Sequence, residues 1–269
     1  MPELPEMETY RQQLSRLILN SPIQEAEVTR PKSLNVEPEL FNRKLSGNRI
    51  VRLDRRAKHL LFHLATGEVL VLHLMLGGWM FYGSEEQKPD RTTQVVIRFG
   101  AQNLYFIGLR LGYLHMHALP ELDALFRKLG PEPLEAVFTL AEWMKVLQGK
   151  KGNLKVTLVD QSVLSGIGNC YSDEICFVAG ILPLRKVPTL TDEEKSRLFH
   201  AMRSVLLEAI RYGGYMEDPL FVNDTLTGGF NDRCRVYDRE GEPCLRCGQE
   251  LVKTEVSSRK CFYCANCQS

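Results

Sequence analysis

The chain has 269 residues, 44% of them hydrophobic, with a formal net charge of +1. That is long enough for two domains, and no stretch approaches the ~20 apolar residues of a membrane span. The charge balance neither demands nor forbids a polyanionic partner, so a nucleic-acid surface has to be a local basic patch. Glu3, Glu6 and Glu8 interrupt any leader-like start, which points to a cytoplasmic protein with reduced thiols, and the eight cysteines are then no disulfide framework.

The chain opens Met1-Pro2-Glu3-Leu4-Pro5-Glu6. Removal of Met1 would leave Pro2 with a free secondary amine next to a carboxylate. An α-amino group titrates near ~8, well below lysine, so a useful fraction is uncharged and nucleophilic at neutral pH. Met7, Tyr10, Leu14, Leu17 and Ile18 fall at helical spacing and predict an amphipathic helix directly after it. Strand-like runs follow over 23–28, 50–53, 59–64, 69–75, 95–99 and 104–115, separated by polar or glycine-containing turns. Strands without intervening helices predict a β-sandwich or barrel.

From Glu121 the pattern turns helical, and a Pro-rich joint at Gly130-Pro131-Glu132-Pro133-Leu134 marks a domain boundary. Helices are expected over 140–147, 154–164 and 169–179. A long one follows, starting at the capping box Thr191/Glu194 and stopping at Gly213-Gly214. Ser165-Gly166-Ile167-Gly168-Asn169 joins two of these helices, and the N-terminus of the second offers backbone N–H groups where a phosphate could dock.

Cys244-Leu245-Arg246-Cys247 and Cys264-Ala265-Asn266-Cys267 have the spacing of a tetrahedral, structural zinc site. Four thiolates leave no open position, so the metal folds the last thirty residues and performs no chemistry. Cys261-x-x-Cys264 is also a legal pair, but Gly248 after the first pair and Phe262-Tyr263 before the second favour Cys264 and Cys267. Cys170, Cys176 and Cys234 read as ordinary thiols. Between the knuckles, Lys253 to Lys260 forms the tip of an expected hairpin that presents Arg259 and Lys260 outward.

Together, Pro2-Glu3-Leu4-Pro5-Glu6, Arg55-Arg56-Ala57-Lys58, Leu129 to Leu134, Asp160 with Gly166-Ile167-Gly168-Asn169, and the terminal cysteines resemble the formamidopyrimidine-DNA glycosylase family and its endonuclease VIII relatives. The resemblance runs the whole chain in the family's order and is closer to the formamidopyrimidine branch. It implies an α+β multidomain protein: a β-sandwich with a leading helix over 1–130, a helix-two-turn-helix domain over 131–235, and a zinc ribbon over 236–269. It further implies a monomeric, nucleoid-associated enzyme of bacterial type that acts on double-stranded DNA containing damaged bases or abasic sites, with one structural Zn2+.

The same resemblance implies that Pro2 attacks C1′ of an extruded nucleotide, expels the oxidised base, and drives β- and δ-elimination through an iminium. Glu3 and Glu6 would move protons, and Lys58 and Arg259 complete the implied catalytic set. Lys58, Asn169 and Arg259 would hold DNA phosphates, with Lys155 and Gly168 as further DNA-binding positions. Leu76, Arg110 and Leu111 stand where the family fills the gap left by the base and reads its partner. Where the family has Asp-Pro-Arg-Arg-Phe-Gly this chain has Ile107-Gly108-Leu109-Arg110-Leu111-Gly112, so the first Arg is Leu109 and the wedge Phe is Leu111. Leucine still supplies wedge bulk, but Leu109 offers no donors to a base edge, which predicts weaker opposite-base selectivity. The alternative reading is a damage- or abasic-site-binding paralogue without base excision.

Overall fold

The computed structural model describes residues 1–269, which form two compact units. The first comprises Met1–Arg127 and Met216–Gly229, the second Lys128–Tyr215 and Phe230–Ser269.

In the first unit the leading helix α1 (Leu4–Leu17) is followed by β1 (Glu25–Val28), α2 (Pro38–Leu45), β2 (Ile50–Arg56), β3 (His59–Leu64) and β4 (Glu68–His73). Then come β5 (Trp79–Gly83), β6 (Thr93–Phe99), β7 (Gln102–Ile107), β8 (Tyr113–Ala118) and α3 (Glu121–Phe126). The strands make two four-stranded antiparallel sheets, in the orders β1-β6-β7-β5 and β2-β3-β4-β8. Alternate residues of each sheet face inward, so Leu60, Phe62, Leu70 and Leu72 of one share a core with Met80, Ile97, Leu104 and Phe106 of the other. Met7, Tyr10, Leu14 and Ile18 insert the apolar stripe of α1 into the same core. Leu61, Val69 and Val71 lie in a smaller cluster covered by Leu122 and Phe126 of α3.

The structure departs from the sequence pattern in four places here. The run expected over 104–115 is two strands, broken by Gly108–Gly112; the apolar pattern continued through the break because Leu109 is itself a fully buried core residue. Strand β5 and helix α2 were not foreseen. Finally, 216–229 rejoins the first unit. There Leu220 is fully buried in the sandwich core, and its carbonyl accepts the Tyr82 N–H at 2.6 Å while the Trp79 indole donates to the Pro219 carbonyl at 3.0 Å.

The second unit contains α4 (Leu140–Leu147), α5 (Leu154–Val159), α6 (Asn169–Ala179) and α7 (Asp192–Arg211), with the hairpin β9 (Val252–Val256) and β10 (Arg259–Tyr263). Helix α7 begins at the Thr191/Glu194 capping box as its sequence demands. Helix α5 stops at Val159, short of the expected 164, because Asp160 turns the chain: its carboxylate accepts both the N–H and the hydroxyl of Ser162. The ribbon does not stand apart as its own compact unit. Phe262, Val236 and Leu251 pack with Phe177 of α6, and the Glu174 carboxylate accepts the backbone N–H groups of Arg235, Val236 and Tyr237.

Candidate functional site

Helix α1 is capped at its N-terminus by its own carboxylates. Glu3 is the N-cap; its side chain accepts the Glu6 N–H while the Glu6 carboxylate accepts the Glu3 N–H at 2.8 Å. Glutamate is an uncommon N-cap, yet the helix begins directly after the chain start, where the spacing of Met7, Tyr10 and Leu14 predicts it. Both carboxylates are 2% exposed, and Pro2 is buried beside them. The positive end of the helix dipole favours such negative charge. A potential amine and two carboxylates therefore share one enclosed place at the start of a rigid element.

Lys58 sits in the two-residue turn Ala57-Lys58 between β2 and β3, where Ala57 takes φ 53°. Arg55 braces the turn against α1, donating from Nη1 to the Ala57 carbonyl at 3.0 Å and from Nε to Glu8 at 3.2 Å. Burial pushes the Glu8 carboxyl up, but hydrogen bonds from Arg11 and Gln12 and the charges of Arg11 and Arg55 hold it below the usual carboxylate range. Lys58 itself is 5% exposed. The Arg55–Glu8 brace was not read from sequence; a cation three residues before the expected lysine was its only signal.

Two loops of the first unit interlock through glycines. A Cβ on Gly108 would lie 2.0 Å from the Gly77 carbonyl oxygen, one on Gly78 2.1 Å from that of Leu74, and one on Gly112 2.4 Å from that of His73. Only glycine permits this approach, and Gly77 and Gly108 also have positive φ. The interlock leaves Leu76 67% and Leu111 63% exposed, with Arg110 exposed between Leu111 and the buried Leu109. Leu109 is an anchor: its N–H donates to Gln94 Oε1 at 2.9 Å and its carbonyl accepts the Ser33 hydroxyl at 3.2 Å. Exposed large apolar side chains on a braced loop suit insertion between stacked bases.

In the second unit the loop before α6 is organised by Gln161, whose side chain donates to the Val159 and Ile167 carbonyls and accepts the Gly166 N–H. Gly130 fits against this loop with no room for a Cβ, which would lie 2.6 Å from the Val163 carbonyl carbon. Gly168 is the N-cap of α6 and Asn169 its first residue, half-buried. Arg259 is exposed at the start of β10 after the Ser257-Ser258 turn, both of whose residues have positive φ. Its charge reaches Asp160: burial pushes that carboxyl up, while Ser162 hydrogen bonds and the charges of Lys150 and Arg259 hold it below its ordinary value. The loop, the α6 N-terminus and the ribbon tip thus gather within one unit.

Lys155 does not join the exposed set. It is fully buried, its Nζ donating to Asp173 Oδ1 at 2.7 Å and to the Asn169 carbonyl at 2.9 Å. A side chain without solvent exposure makes no phosphate contact, so its work is internal. Asp173 also accepts the Phe262 N–H at 3.1 Å, which ties α6 to β10. Burial pushes the Asp173 carboxyl up to about 7 against the pull of the Lys155 charge. Asp173 was missed from sequence, although an acidic residue on the apolar face of a helix is a signal of a buried partner.

Cys244, Cys247, Cys264 and Cys267 bring their sulfurs within 4.8 Å of one another, with 3.9 Å between Cys244 and Cys267 and 3.6 Å between Cys247 and Cys264. Tetrahedral zinc with Zn–S near ~2.3 Å sets sulfurs ~3.8 Å apart, so the cluster fits one such ion. Gly248 takes φ 76° in the first knuckle. Cys261 lies outside the cluster, fully buried against Asp173, where burial and that carboxylate push its thiol up to about 12.

Comparison with known proteins agrees with this geometry. The chain matches the formamidopyrimidine-DNA glycosylase N-terminal domain over residues 1–113, the H2TH domain of the same enzymes over 129–218, and the zinc finger found in FPG and IleRS over 241–269. A formamidopyrimidine-DNA glycosylase of Carboxydothermus hydrogenoformans is 36% identical over 270 residues, covering all of both chains. A Lactococcus lactis Fpg in complex with DNA containing N7-benzyl-Fapy-dG superimposes with TM-score 0.92 at 28% identity, covering 99% of each chain. The same enzyme with abasic-site DNA gives 0.91 at 27% identity, also over 99% of each. No helix here is long and apolar enough to cross a membrane. Sequence, fold and cysteine cluster together establish that the chain belongs to the formamidopyrimidine-DNA glycosylase family, as a DNA-repair glycosylase with a C-terminal zinc finger.

Proposed function

We propose that the protein is a bifunctional DNA glycosylase and abasic-site lyase of base excision repair, with Pro2, freed by removal of Met1, as its nucleophile. The observation that carries this reading is the joint burial of Pro2, Glu3 and Glu6 at the N-terminus of α1. The amine lone pair forms a bond to C1′ as the glycosidic bond breaks, and the oxidised base leaves with that electron pair and takes up a proton. The attacking nitrogen loses its proton, O4′ departs as a hydroxyl, and a cationic iminium remains. Removal of a C2′ proton then expels the 3′ phosphate, and a second elimination expels the 5′ phosphate. Glu3 and Glu6 are the nearby groups able to accept and return these protons.

Lys58, Asn169 and Arg259 supply phosphate contacts, Gly168 adds the helix N-terminus, and Leu76 and Leu111 fill the space vacated by the extruded base beside Arg110. Double-stranded DNA bearing oxidised bases or abasic sites is therefore the proposed substrate, acted on by a monomer in the cytoplasm. Borohydride trapping on abasic-site DNA tests the mechanism. A covalent adduct that disappears in Pro2→Gly is expected. Active protein whose intact mass retains Met1 would overturn it, because Pro2 would then be a tertiary amide; salt-sensitive binding without an adduct would favour the damage-binding reading.

A further inference from the structure

Five of the six histidines lie on β3, β4 and β8, and two of them form a row with a tyrosine at the end of the sheet where three loops leave it. His59 pairs with His73 across β3 and β4, and His73 pairs with Tyr113 across β4 and β8. The two imidazoles stack with centroids 4.3 Å apart, His73 meets the Tyr113 ring edge-on at 5.7 Å, and Phe126 of α3 lies 5.3 Å from His59.

Each member sits at a strand end. His59 is the first residue after the Ala57-Lys58 turn, His73 the last before the loop carrying Leu76, and Tyr113 the first after the loop carrying Arg110 and Leu111. His59 also closes back onto its own turn. Its Nδ1 lies 3.2 Å from the Arg56 carbonyl and its Nε2 3.1 Å from the Tyr113 hydroxyl. A carbonyl can only accept, so Nδ1 carries the proton; in the neutral ring Nε2 then accepts from the tyrosine hydroxyl. Burial, with the charges of Arg56 and Lys58, pushes His59 down to about 4, and burial with His59 and Lys58 pushes His73 to about 3. An aliphatic row would pack here but would leave the Tyr113 hydroxyl and the turn carbonyl without these partners.

We propose that His59, His73 and Tyr113 act as positioning residues that hold the Lys58 turn and the two wedge-bearing loops in one fixed arrangement. Phosphate grip and wedge insertion are then set together, and loosening the row at one member disturbs all three loops. The inference rests on the DNA-contact roles proposed above for Lys58, Leu76 and Leu111.

The test uses the full-length protein, a duplex with one oxidised base beside a 2-aminopurine reporter, and the variants His73→Ala, His73→Phe and Tyr113→Phe. Reporter fluorescence reads unstacking by the wedges, and single-turnover excision reads chemistry. His73→Ala is expected to lose most of the fluorescence change and about tenfold in excision, because small misplacements of positioned groups are costly, with His73→Phe recovering to within about threefold by restoring the ring. Tyr113→Phe, which removes one hydroxyl and leaves the packing, is expected to fall between them and judges the row should His73→Ala fail to fold. Wild-type fluorescence and excision in both His73→Ala and Tyr113→Phe, or no rescue by His73→Phe, would overturn the proposal. If the wild-type protein gives the fluorescence change but neither excision nor a trapped adduct, the catalytic reading fails while the fluorescence still decides the row.

Discussion

The residues proposed as wedges in the first unit and those proposed as phosphate contacts in the second are held by different physics. In the first unit, Leu76, Arg110 and Leu111 stand on loops locked by steric fit, glycine against carbonyl, with Leu109 as a plug in the sandwich core. In the second, Asn169 and Arg259 stand on elements joined by a buried ion pair and by four metal-ligating thiols. Packing has no long-range field and tolerates changes of pH and chelators, whereas an ion pair and a tetrathiolate site do not. The apolar wedges should therefore survive conditions that release the phosphate-binding side, and they should be the more sensitive to one added methyl group.

The largest effect expected from this contrast is metal removal. Structural zinc in zinc-finger peptides contributes on the order of 10 kcal/mol, so chelation or Cys264→Ser should unfold the ribbon and abolish the Arg259 contribution to DNA binding. Near-ultraviolet circular dichroism and binding titrations would follow it; ribbon signals unchanged after complete zinc loss would break the comparison. Next comes Lys155→Ala, which leaves Asp173 buried without its cation and should cost about 3–5 kcal/mol in the second unit. Replacing both partners with apolar residues should recover much of that loss, and thermal unfolding of the three proteins decides it. Gly108→Ala should cost about 2 kcal/mol or more, since it adds left-handed strain to a clash with Gly77, and should reduce excision more than abasic-site trapping on single-stranded DNA.

The smallest effect concerns selectivity. With Leu109 buried and without a side-chain donor of its own, excision of one lesion opposite each of the four bases should vary by less than about tenfold, the low end of what one base-edge contact discriminates. A strong cytosine preference in single-turnover assays would mean that Arg110 alone reads the opposite base.

Much of this architecture was legible in the linear pattern where chemistry is local. Helices α4 and α6 and strand β3 fall where their periodicity placed them, α7 starts at its capping box, and the Cys-x-x-Cys pairs named their own cluster. The residues expected at the site divide between the units, Pro2, Glu3, Glu6 and Lys58 falling in the first and Gly168, Asn169 and Arg259 in the second. A residue's role is not legible in the linear pattern where a distant partner sets it. Lys155 looks like a surface cation until Asp173, eighteen positions away, is found beside it. Leu109 continued a strand pattern because burial in a loop and burial in a strand look alike in one dimension.

The sequence by itself determined the amphipathic leading helix, the strand-rich first half, the helical second half and the four metal-ligating cysteines, because each depends on periodicity or spacing within a few residues. Tertiary structure alone decided that 216–229 returns to the first unit, that the ribbon belongs to the second, that Lys155 is buried, and that Leu76 and Leu111 emerge from one glycine interlock. Those outcomes turn on which surfaces exclude water and which backbones can approach, and both are properties of residues far apart in the chain.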